Sequence, residues 1–273
     1  TGEYDACIAR YLAQRLDGED TFPVTLHGVW EKAQDLRYGE NPHQAAAFYK
    51  ERGAKSGLAA AQQLHGKELS FNNLVDLEAA YAVAADFPQP AAAIIKHTNP
   101  CGTGMGATLA DAYRKAHSAD PVSAFGGIVG LNREVDAETA GELSAIFLEA
   151  VIAPSYTKEA LDILSQKKNI RLLAAPLPKQ GHKEWDIKKV SGGLLLQEKD
   201  TQDLVESELK VVSKRQPTED EWKQLRFAWT VVKHVKSNAI VVAADDKTLG
   251  VGAGQMNRVG SAAIALEQAG EAA

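Results

Sequence analysis

A lysine and a histidine directly follow a short apolar run, and this pair is the part of the sequence best suited to chemistry. Residues 91–95 are alanine and isoleucine, Lys96 and His97 come next, and Asn99 and Pro100 predict a turn. Such a run is typical of a buried strand, and α/β sheets hold their sites at the carboxyl ends of strands. A neutral imidazole can take a proton from an amine nucleophile, and an ammonium beside it can stabilise an oxyanion. The pair suits transfer to an amine, but two polar residues at an ordinary strand end give the same pattern.

A glycine-rich stretch after this pair suggests a second interpretation. Gly102, Gly104 and Ala107 fit the G-x-G-x-x-G/A pattern of dinucleotide-binding loops, with Asp120 further along the chain. That pattern places its glycines directly after a strand, whereas the residues KHTNPC intervene here. A dinucleotide-binding module therefore stays open as an alternative that the spacing disfavours.

The same stretch resembles half of a zinc-binding pattern. Pro100 and Cys101 match the start of the deaminase pattern P-C-x-x-C, but Gly104 stands where the second cysteine belongs, and no H-x-E precedes it. We therefore predict no zinc site of the deaminase type.

Other polar residues are ambiguous when each is taken alone. Arg37 and Tyr38 lie in a stretch rich in turn residues, and the forked guanidinium of arginine suits a phosphate. Asn238 follows a predicted helix, and Arg258 follows a glycine-rich predicted strand. The residues 123–127, SAFGG, could bring the main chain close to a ligand or serve packing alone.

Strands and helices are predicted to alternate along the chain, which favours an α/β fold. Strands are predicted at 45–50, 91–95 and 125–131, and a strand–turn–strand unit at 239–254. Helices are predicted at 73–87, 107–117, 136–150, 157–168 and 218–235 and near the end of the chain. The expected caps are Asn72 or Asn73, Asp136, Thr157 and Thr218, the last with Glu221 in a capping box.

Composition excludes several classes of protein. The net charge is −6, whereas a general nucleic-acid binder usually carries a basic surplus. No apolar run reaches the roughly 18 residues of a membrane span, and the first residues do not have the pattern of a signal peptide. Cys7 and Cys101 are too few for a disulfide framework. We therefore expect a cytoplasmic protein with no nucleic-acid or membrane partner.

Several long motifs, taken in order, resemble the AICAR transformylase family of purine-biosynthesis enzymes. The resemblance runs from about residue 20 to the end of the chain and is carried by LRYGENPHQAAAFY, GKELSFNNLVDLEAAY, IIKHTNPCG, DPVSAFGGIVGLNREVD, VIAPSY, VVKHVKSNAIVVA and GVGAGQMNR. It implies a cytidine-deaminase-like fold in three layers, with a mixed sheet, helices on both faces and no zinc. It also implies a homodimer whose active sites are shared between subunits.

The resemblance implies formyl transfer from 10-formyltetrahydrofolate to the 5-amino group of AICAR, in IMP biosynthesis. Lys96 and His97 match the catalytic pair of the family, with His97 moving the proton. The matched substrate-binding positions are Arg37 and Tyr38 near the phosphate, Gly126 and Glu149 near the ribose, Asn238 and Arg258 near the carboxamide, and Phe125 facing the folate. The family also suggests a potassium ion near Val232 and Ser237.

The family pattern also predicts how the chain is organised. Residues 1–19 match the trailing helix of a cyclohydrolase domain, 20–197 a first transformylase subdomain, 198–217 a charged bridge, and 218–273 the start of a second subdomain. The family's later substrate-binding segments have no counterpart here, so we expect a fragment of a bifunctional enzyme. A non-catalytic, dimerising fragment is the alternative to an active transferase.

Overall fold

The structure is a computed structural model, and it describes residues 2–16, 22–178 and 185–272. The helices are α1 (Gly2–Leu16), α2 (Phe71–Ala85), α3 (Leu109–Ala119), α4 (Pro121–Ala124), α5 (Ala137–Ser144), α6 (Lys158–Leu164), α7 (Glu219–Val232) and α8 (Arg258–Ala269). The strands are β1 (Trp30–Leu36), β2 (Ala46–Glu51), β3 (Gln62–His65), β4 (Ala91–Lys96), β5 (Asn99–Met105), β6 (Ile128–Leu131), β7 (Ala150–Ala153), β8 (Arg171–Ala174), β9 (Trp185–Val190), β10 (Gly193–Glu198), β11 (Ile240–Ala244) and β12 (Lys247–Gly252).

One mixed sheet, built from eight of the strands in the described ranges, organises the fold. Its strand order is β11-β12-β5-β4-β6-β7-β8-β3. The pairs β6–β7 and β7–β8 are parallel, and the other neighbouring pairs are antiparallel. Strands β1 and β2 form a separate antiparallel pair, as do β9 and β10. The prediction of an α/β fold with a mixed sheet is confirmed.

Helices cover both faces of this sheet. Successive residues of a strand point to opposite faces, so Ala93 and Ile95 join one buried cluster while Ala92 and Ile94 join the other. The first cluster includes residues of α2 and α7, and the second includes residues of α3, α5 and α6. Because β4 is covered on both sides, its sequence is a continuous apolar run. Lys96, at its end, is the first residue of the strand that is only partly buried.

Side-chain caps begin the helices close to where they were predicted. Asp136, Thr157 and Thr218 each accept a hydrogen bond from the amide three residues later, as expected. The prediction that Asn72 or Asn73 caps α2 is wrong. Ser70 is the cap: its hydroxyl accepts from the Asn73 amide, and the Asn73 side chain accepts from the Ser70 amide. This reciprocal pair starts α2 at Phe71.

Three predicted elements are too long. The helix after Asp136 ends at Ser144 rather than near 150, because residues 150–153 form the fully buried strand β7. The helix after Thr157 ends at Leu164 rather than near 168. The strand expected at 125–131 begins only at Ile128, since Gly126 adopts a φ of 69° and turns the chain.

Strand β5 corrects two predictions about the residues after His97. Asn99 and Pro100 begin this strand instead of forming a turn, and Pro100 lies where the β4–β5 register shifts, a position that tolerates proline. Gly102 and Gly104 lie inside the strand. A Cβ atom on Gly102 would lie 2.0 Å from the carbonyl oxygen of Ala116, and one on Gly104 would lie 2.4 Å from that of Ala112; both carbonyls belong to α3. These glycines let α3 approach β5, and they lie inside a strand rather than in the loop that the dinucleotide-binding pattern requires.

Residues 218–272 contribute strands to the same sheet as the residues before them. Strand β12 pairs with β5, and the Thr103 amide donates to the Thr248 hydroxyl at 3.0 Å. The predicted strand–turn–strand unit is confirmed as β11 and β12. The segment 198–217, predicted to be a charged bridge, is exposed over most of its length. A division into two subdomains on either side of this segment stays a prediction.

Replacing Asp86 with alanine is expected to lower the free energy of unfolding by about 1.5–3 kcal/mol at neutral pH, the usual range for hydrogen bonds to charged groups. The Asp86 carboxylate, directly after α2, accepts hydrogen bonds from Nε2 of His234 at 2.8 Å and from Nζ of Lys233 at 2.5 Å. Lys233 and His234 are the two residues that follow α7. Burial would raise the pKa of Asp86, but the hydrogen bonds from His234 and Lys233 outweigh it and hold the pKa below its ordinary 3.8.

The sign of this shift fixes the pH dependence. A carboxyl whose pKa is lower in the folded chain stabilises fully above its unfolded pKa, about 3.9, and loses that contribution as pH falls through the folded value. Urea unfolding of the wild type and of Asp86→Ala should therefore show a large stability gap near neutral pH and a smaller one well below about pH 3.9. A gap of equal size at both pH values would contradict the role of this ionised carboxylate.

Candidate active site

Lys96 and His97 lie where β4 turns into β5. Lys96 pairs with Asn99 across the hairpin, so His97 and Thr98 are the two central residues of the turn. Both have positive φ, 52° and 65°, a conformation that costs a residue with a Cβ atom about 1–2 kcal/mol. Turns with two positive φ values usually carry Asn-Gly or Gly-Gly. Non-glycine residues held in this conformation are typical of active sites.

Three hydrogen bonds hold the main chain of this turn. The Thr98 amide donates to Oδ1 of Asp76 at 2.7 Å. The Thr98 hydroxyl and Nδ2 of Asn99 donate to the carbonyl oxygen of His97, at 2.6 Å and 3.1 Å. The backbone of His97 is therefore fixed while its side chain stays exposed, which is the arrangement that a proton acceptor requires.

The Lys96 ammonium is bound to the loop before β6. Its Nζ donates to the carbonyl oxygen of Phe125 at 2.7 Å. Gly126 follows with a φ of 69°, and a Cβ atom there would lie 3.2 Å from that Nζ. The Phe125 ring is 61% exposed and packs against Phe147 with ring centroids 5.5 Å apart. The structure thus brings together three of the predicted site residues: Lys96, Phe125 and Gly126.

Glu149 reaches the same edge of the sheet through β7. Its amide donates to the carbonyl oxygen of Gly127 at 3.1 Å, which places it next to the Phe125–Gly126 loop. Its carboxylate accepts a hydrogen bond from Nη1 of Arg171 at 2.6 Å. Nε of the same arginine donates to the carbonyl oxygen of Glu68 at 3.0 Å. Sequence reasoning missed Arg171, because nothing in its local sequence distinguishes it from any arginine at the start of a strand.

Asn238 is joined to the Lys96 hairpin through the chain that leads into β11. The amide of Lys236 donates to Oδ1 of Asn99 at 3.3 Å. The amide and side-chain nitrogen of Asn238 both donate to the carbonyl oxygen of Gln255, at 3.1 Å and 3.0 Å. Asn238 and Gln255 therefore hold two loops together beside the turn that carries His97.

Arg37 and Tyr38 lie in a turn between β1 and β2, as the Gly and Pro residues predicted. Nη2 of Arg37 donates to the Tyr38 hydroxyl at 3.0 Å, and the guanidinium lies 4.7 Å from the centroid of that ring. Nδ2 of Asn72 donates to the carbonyl oxygen of Glu40 at 3.4 Å, which ties this turn to α2. Helix α2 also carries Asp76, so one helix contacts both the Arg37 turn and the His97 turn.

Arg258 and the predicted ion-binding residues lie on or next to helices α7 and α8. Arg258 is the exposed first residue of α8, three residues after Gln255. Val232 is the last residue of α7, and Ser237 lies between α7 and β11. Ser237 directly precedes Asn238 in the chain.

The partly buried thiol of Cys101, next to this site, has a different character from Lys96 and His97. Burial, followed by a smaller contribution from the carboxylate of Asp120, raises the pKa of Cys101 to about 12. The thiol is therefore protonated at neutral pH and cannot act as a nucleophile. Within the described ranges, no group of three or more His, Cys, Asp or Glu residues is placed to hold a metal ion. None of the described helices is long and apolar enough to cross a membrane.

The fold and this arrangement define a class: an α/β protein with a polar site at one edge of a mixed sheet, where a fixed turn presents a histidine beside a lysine. Residues 1–268 match the family described as the AICARFT/IMPCHase bienzyme. The chain belongs to that family, which confirms the resemblance found in its motifs.

Two bacterial relatives show how much of the family this chain represents. The chain is 58% identical over 274 residues to the bifunctional purine biosynthesis protein PurH of Halalkalibacterium halodurans, and 56% identical over 274 residues to that of Bacillus cereus strain AH187. Each comparison covers 100% of this chain and 53% of the relative. The chain therefore spans about half the length of the curated relatives it matches.

Proposed function

We propose that this chain carries the site for formyl transfer from 10-formyltetrahydrofolate to the 5-amino group of AICAR, a step of IMP biosynthesis. The observation that carries the proposal is the turn at the end of β4, where the exposed imidazole of His97 follows the Lys96 ammonium. Lys96 is oriented by its hydrogen bond to the Phe125 carbonyl oxygen at 2.7 Å. Membership of the family supports the choice of substrates.

The two side chains have complementary roles in this reaction. The 5-amino nitrogen attacks the formyl carbon, the formyl oxygen becomes an oxyanion, and the bond from that carbon to N10 of the folate then breaks. His97 takes the proton that the amine loses, and N10 gains a proton as tetrahydrofolate leaves. The Lys96 ammonium stabilises the oxyanion.

The remaining site residues suit the parts of the nucleotide. Arg37, with its guanidinium already ordered by Tyr38, would bind the phosphate. Glu149 would accept hydrogen bonds from the ribose hydroxyls beside Gly126, where the absent side chain leaves room. Asn238 and Arg258 would bind the carboxamide. The exposed ring of Phe125 offers a flat apolar surface to the folate.

The wider architecture of the family is also part of this proposal. A cytidine-deaminase-like unit is supported by the three layers, with helices on both faces of the sheet. The proposal of a homodimer with shared sites rests on the resemblance to the family alone. Net charge and composition favour a cytoplasmic enzyme without a nucleic-acid or membrane partner.

The potassium ion near Val232 and Ser237 stays a prediction. Main-chain carbonyl oxygens are suitable ligands for this cation. The carbonyl oxygen of Val232 accepts from the Val235 amide at 3.1 Å, which leaves it one further lone pair. We assign no step of the reaction to this ion.

Calorimetric titration of the chain with AICAR, with NAD in parallel, tests the nucleotide site. We expect saturable AICAR binding and no heat with NAD. Arg171→Gln should weaken AICAR binding about tenfold, the effect of losing about 1.4 kcal/mol, because Glu149 would no longer be held by the guanidinium. Lys168→Gln, at an exposed position beside the same strand, serves as the control. Binding of NAD alone would contradict the proposal.

A further inference from the structure

We infer that Asp76 is a positioning residue for His97: its carboxylate holds the Thr98 amide and so keeps the His97–Thr98 turn in its left-handed conformation. The inference rests on the proposed function, because it assumes that His97 accepts the proton. The hydrogen bond that the structure gives Asp76 comes from the Thr98 amide, so its effect on the reaction passes through Thr98. Nothing in the sequence pattern around Asp76 indicated this role.

The turn needs such support because its residue types oppose its conformation. A β-branched residue with positive φ is a conformational outlier, and Thr98 has a φ of 65° directly after His97 at 52°. At about 1–2 kcal/mol per residue, the unsupported hairpin would favour another turn conformation. A different turn would aim the imidazole elsewhere, while β4 and β5 could remain paired.

The Asp76 carboxylate is well suited to offset this cost. A hydrogen bond from an amide to an ionised carboxylate is roughly twice as strong as one between neutral groups, and this one measures 2.7 Å. Asp76 is also rigidly held, because its neighbours Leu74 and Leu77 are buried in the core cluster beneath α2. The hydrogen bond therefore fixes the Thr98 amide relative to α2, and not only relative to the hairpin.

The same helix fixes the other end of the proposed nucleotide site. Asn72, one turn before Asp76 and on the same face, donates to the carbonyl oxygen of Glu40 in the turn that follows Arg37. Helix α2 therefore sets the separation between the Arg37 turn and the His97 turn. This gives Asp76 a geometric role that a carboxylate on a loop could not fill.

Steady-state kinetics of four variants test the inference. The protein used is a chimera, called the full-length form below: the Halalkalibacterium halodurans relative in which this chain replaces the half that it matches. Asp76→Ala should lower kcat by about 100-fold, the effect of a displacement of about 1 Å at a reacting group, with little change in the KM for AICAR. Asp76→Asn keeps an oxygen acceptor and should retain most of kcat. Adding Thr98→Gly to Asp76→Ala should restore part of the lost kcat, because glycine adopts positive φ without strain.

The fourth variant, Glu78→Ala, is the control. It removes an exposed carboxylate from the same helix, near Lys199, and should leave kcat unchanged. An equal loss of kcat in Asp76→Asn and Asp76→Ala would overturn the inference, since an oxygen acceptor for the Thr98 amide would then make no difference. An unchanged kcat in Asp76→Ala, or no rescue by Thr98→Gly, would also overturn it. If the unsubstituted full-length form transfers no formyl group, the proposed function itself fails, and the positioning role with it.

Discussion

Alanine at His97 is expected to lower the kcat for formyl transfer by about 100- to 10,000-fold, the usual contribution of a positioned proton acceptor. Alanine at Lys96 is expected to lower it by about 100- to 1,000-fold, the usual cost of removing one group that stabilises an oxyanion. Both substitutions remove side chains at the solvent-facing end of β4, where the buried residues before Lys96 hold the strand. The fold should therefore survive, and the losses should be losses of chemistry.

The two variants should differ in their response to pH. Without His97 no imidazole accepts the proton, so the arm of the kcat–pH profile that depends on this imidazole should disappear. Without Lys96 the imidazole remains, and the arm should persist at a much lower rate. Lys96→Arg keeps the charge but brings a larger head group into the space beside Gly126, where a Cβ atom would already lie 3.2 Å from Nζ, and should recover only part of the rate.

The measurement is single-turnover and steady-state transfer by the full-length form, with circular dichroism to confirm folding. His27→Ala and Lys168→Ala, both at exposed positions, are the controls and should keep the full rate. Normal turnover in either His97→Ala or Lys96→Ala would remove the catalytic assignment of that residue.

Local sequence was sufficient to predict the elements that carry their own signals. The capping box at Thr218 and Glu221 depends on residues three apart, and the structure has it as expected. The buried run before Lys96 needed only its apolar residues, and the turn at Asp245 and Asp246 needed only its polar pair between two apolar stretches. In each case the determining contacts lie within a few residues of one another.

Sequence reasoning failed where contacts distant along the chain decide the outcome. Asp76 meets Thr98 from 22 residues away, and Arg171 meets Glu149 from 22 residues away, and neither pair has a local signal. Residues 99–105 contain two glycines and a proline, which disfavour a strand by propensity. Their pairing with β4 and β12 overrides that preference.

Valine at Gly104 is expected to destabilise the chain by about 3 kcal/mol or more, at the upper end of the cost of overpacking a core. A Cβ atom at this position would lie 2.4 Å from the carbonyl oxygen of Ala112 and 2.6 Å from the amide nitrogen of Ala116. Both are main-chain atoms of α3, so the clash cannot be relieved by a side-chain rotation. Either α3 must move away from β5, or the strand must leave the sheet between β4 and β12.

This substitution also separates the two interpretations of the glycine-rich stretch. If Gly104 served a dinucleotide, Gly104→Val would abolish NAD binding and leave stability unchanged; if it serves packing, the urea midpoint falls and there is no NAD binding to lose. Gly141→Ala is the matched control, because nothing lies within 4 Å of a Cβ atom there. It is exposed on α5 and should stabilise the chain by about 0.5–1 kcal/mol. A Gly104→Val chain as stable as the wild type would show that α3 does not need the close approach that the structure gives it.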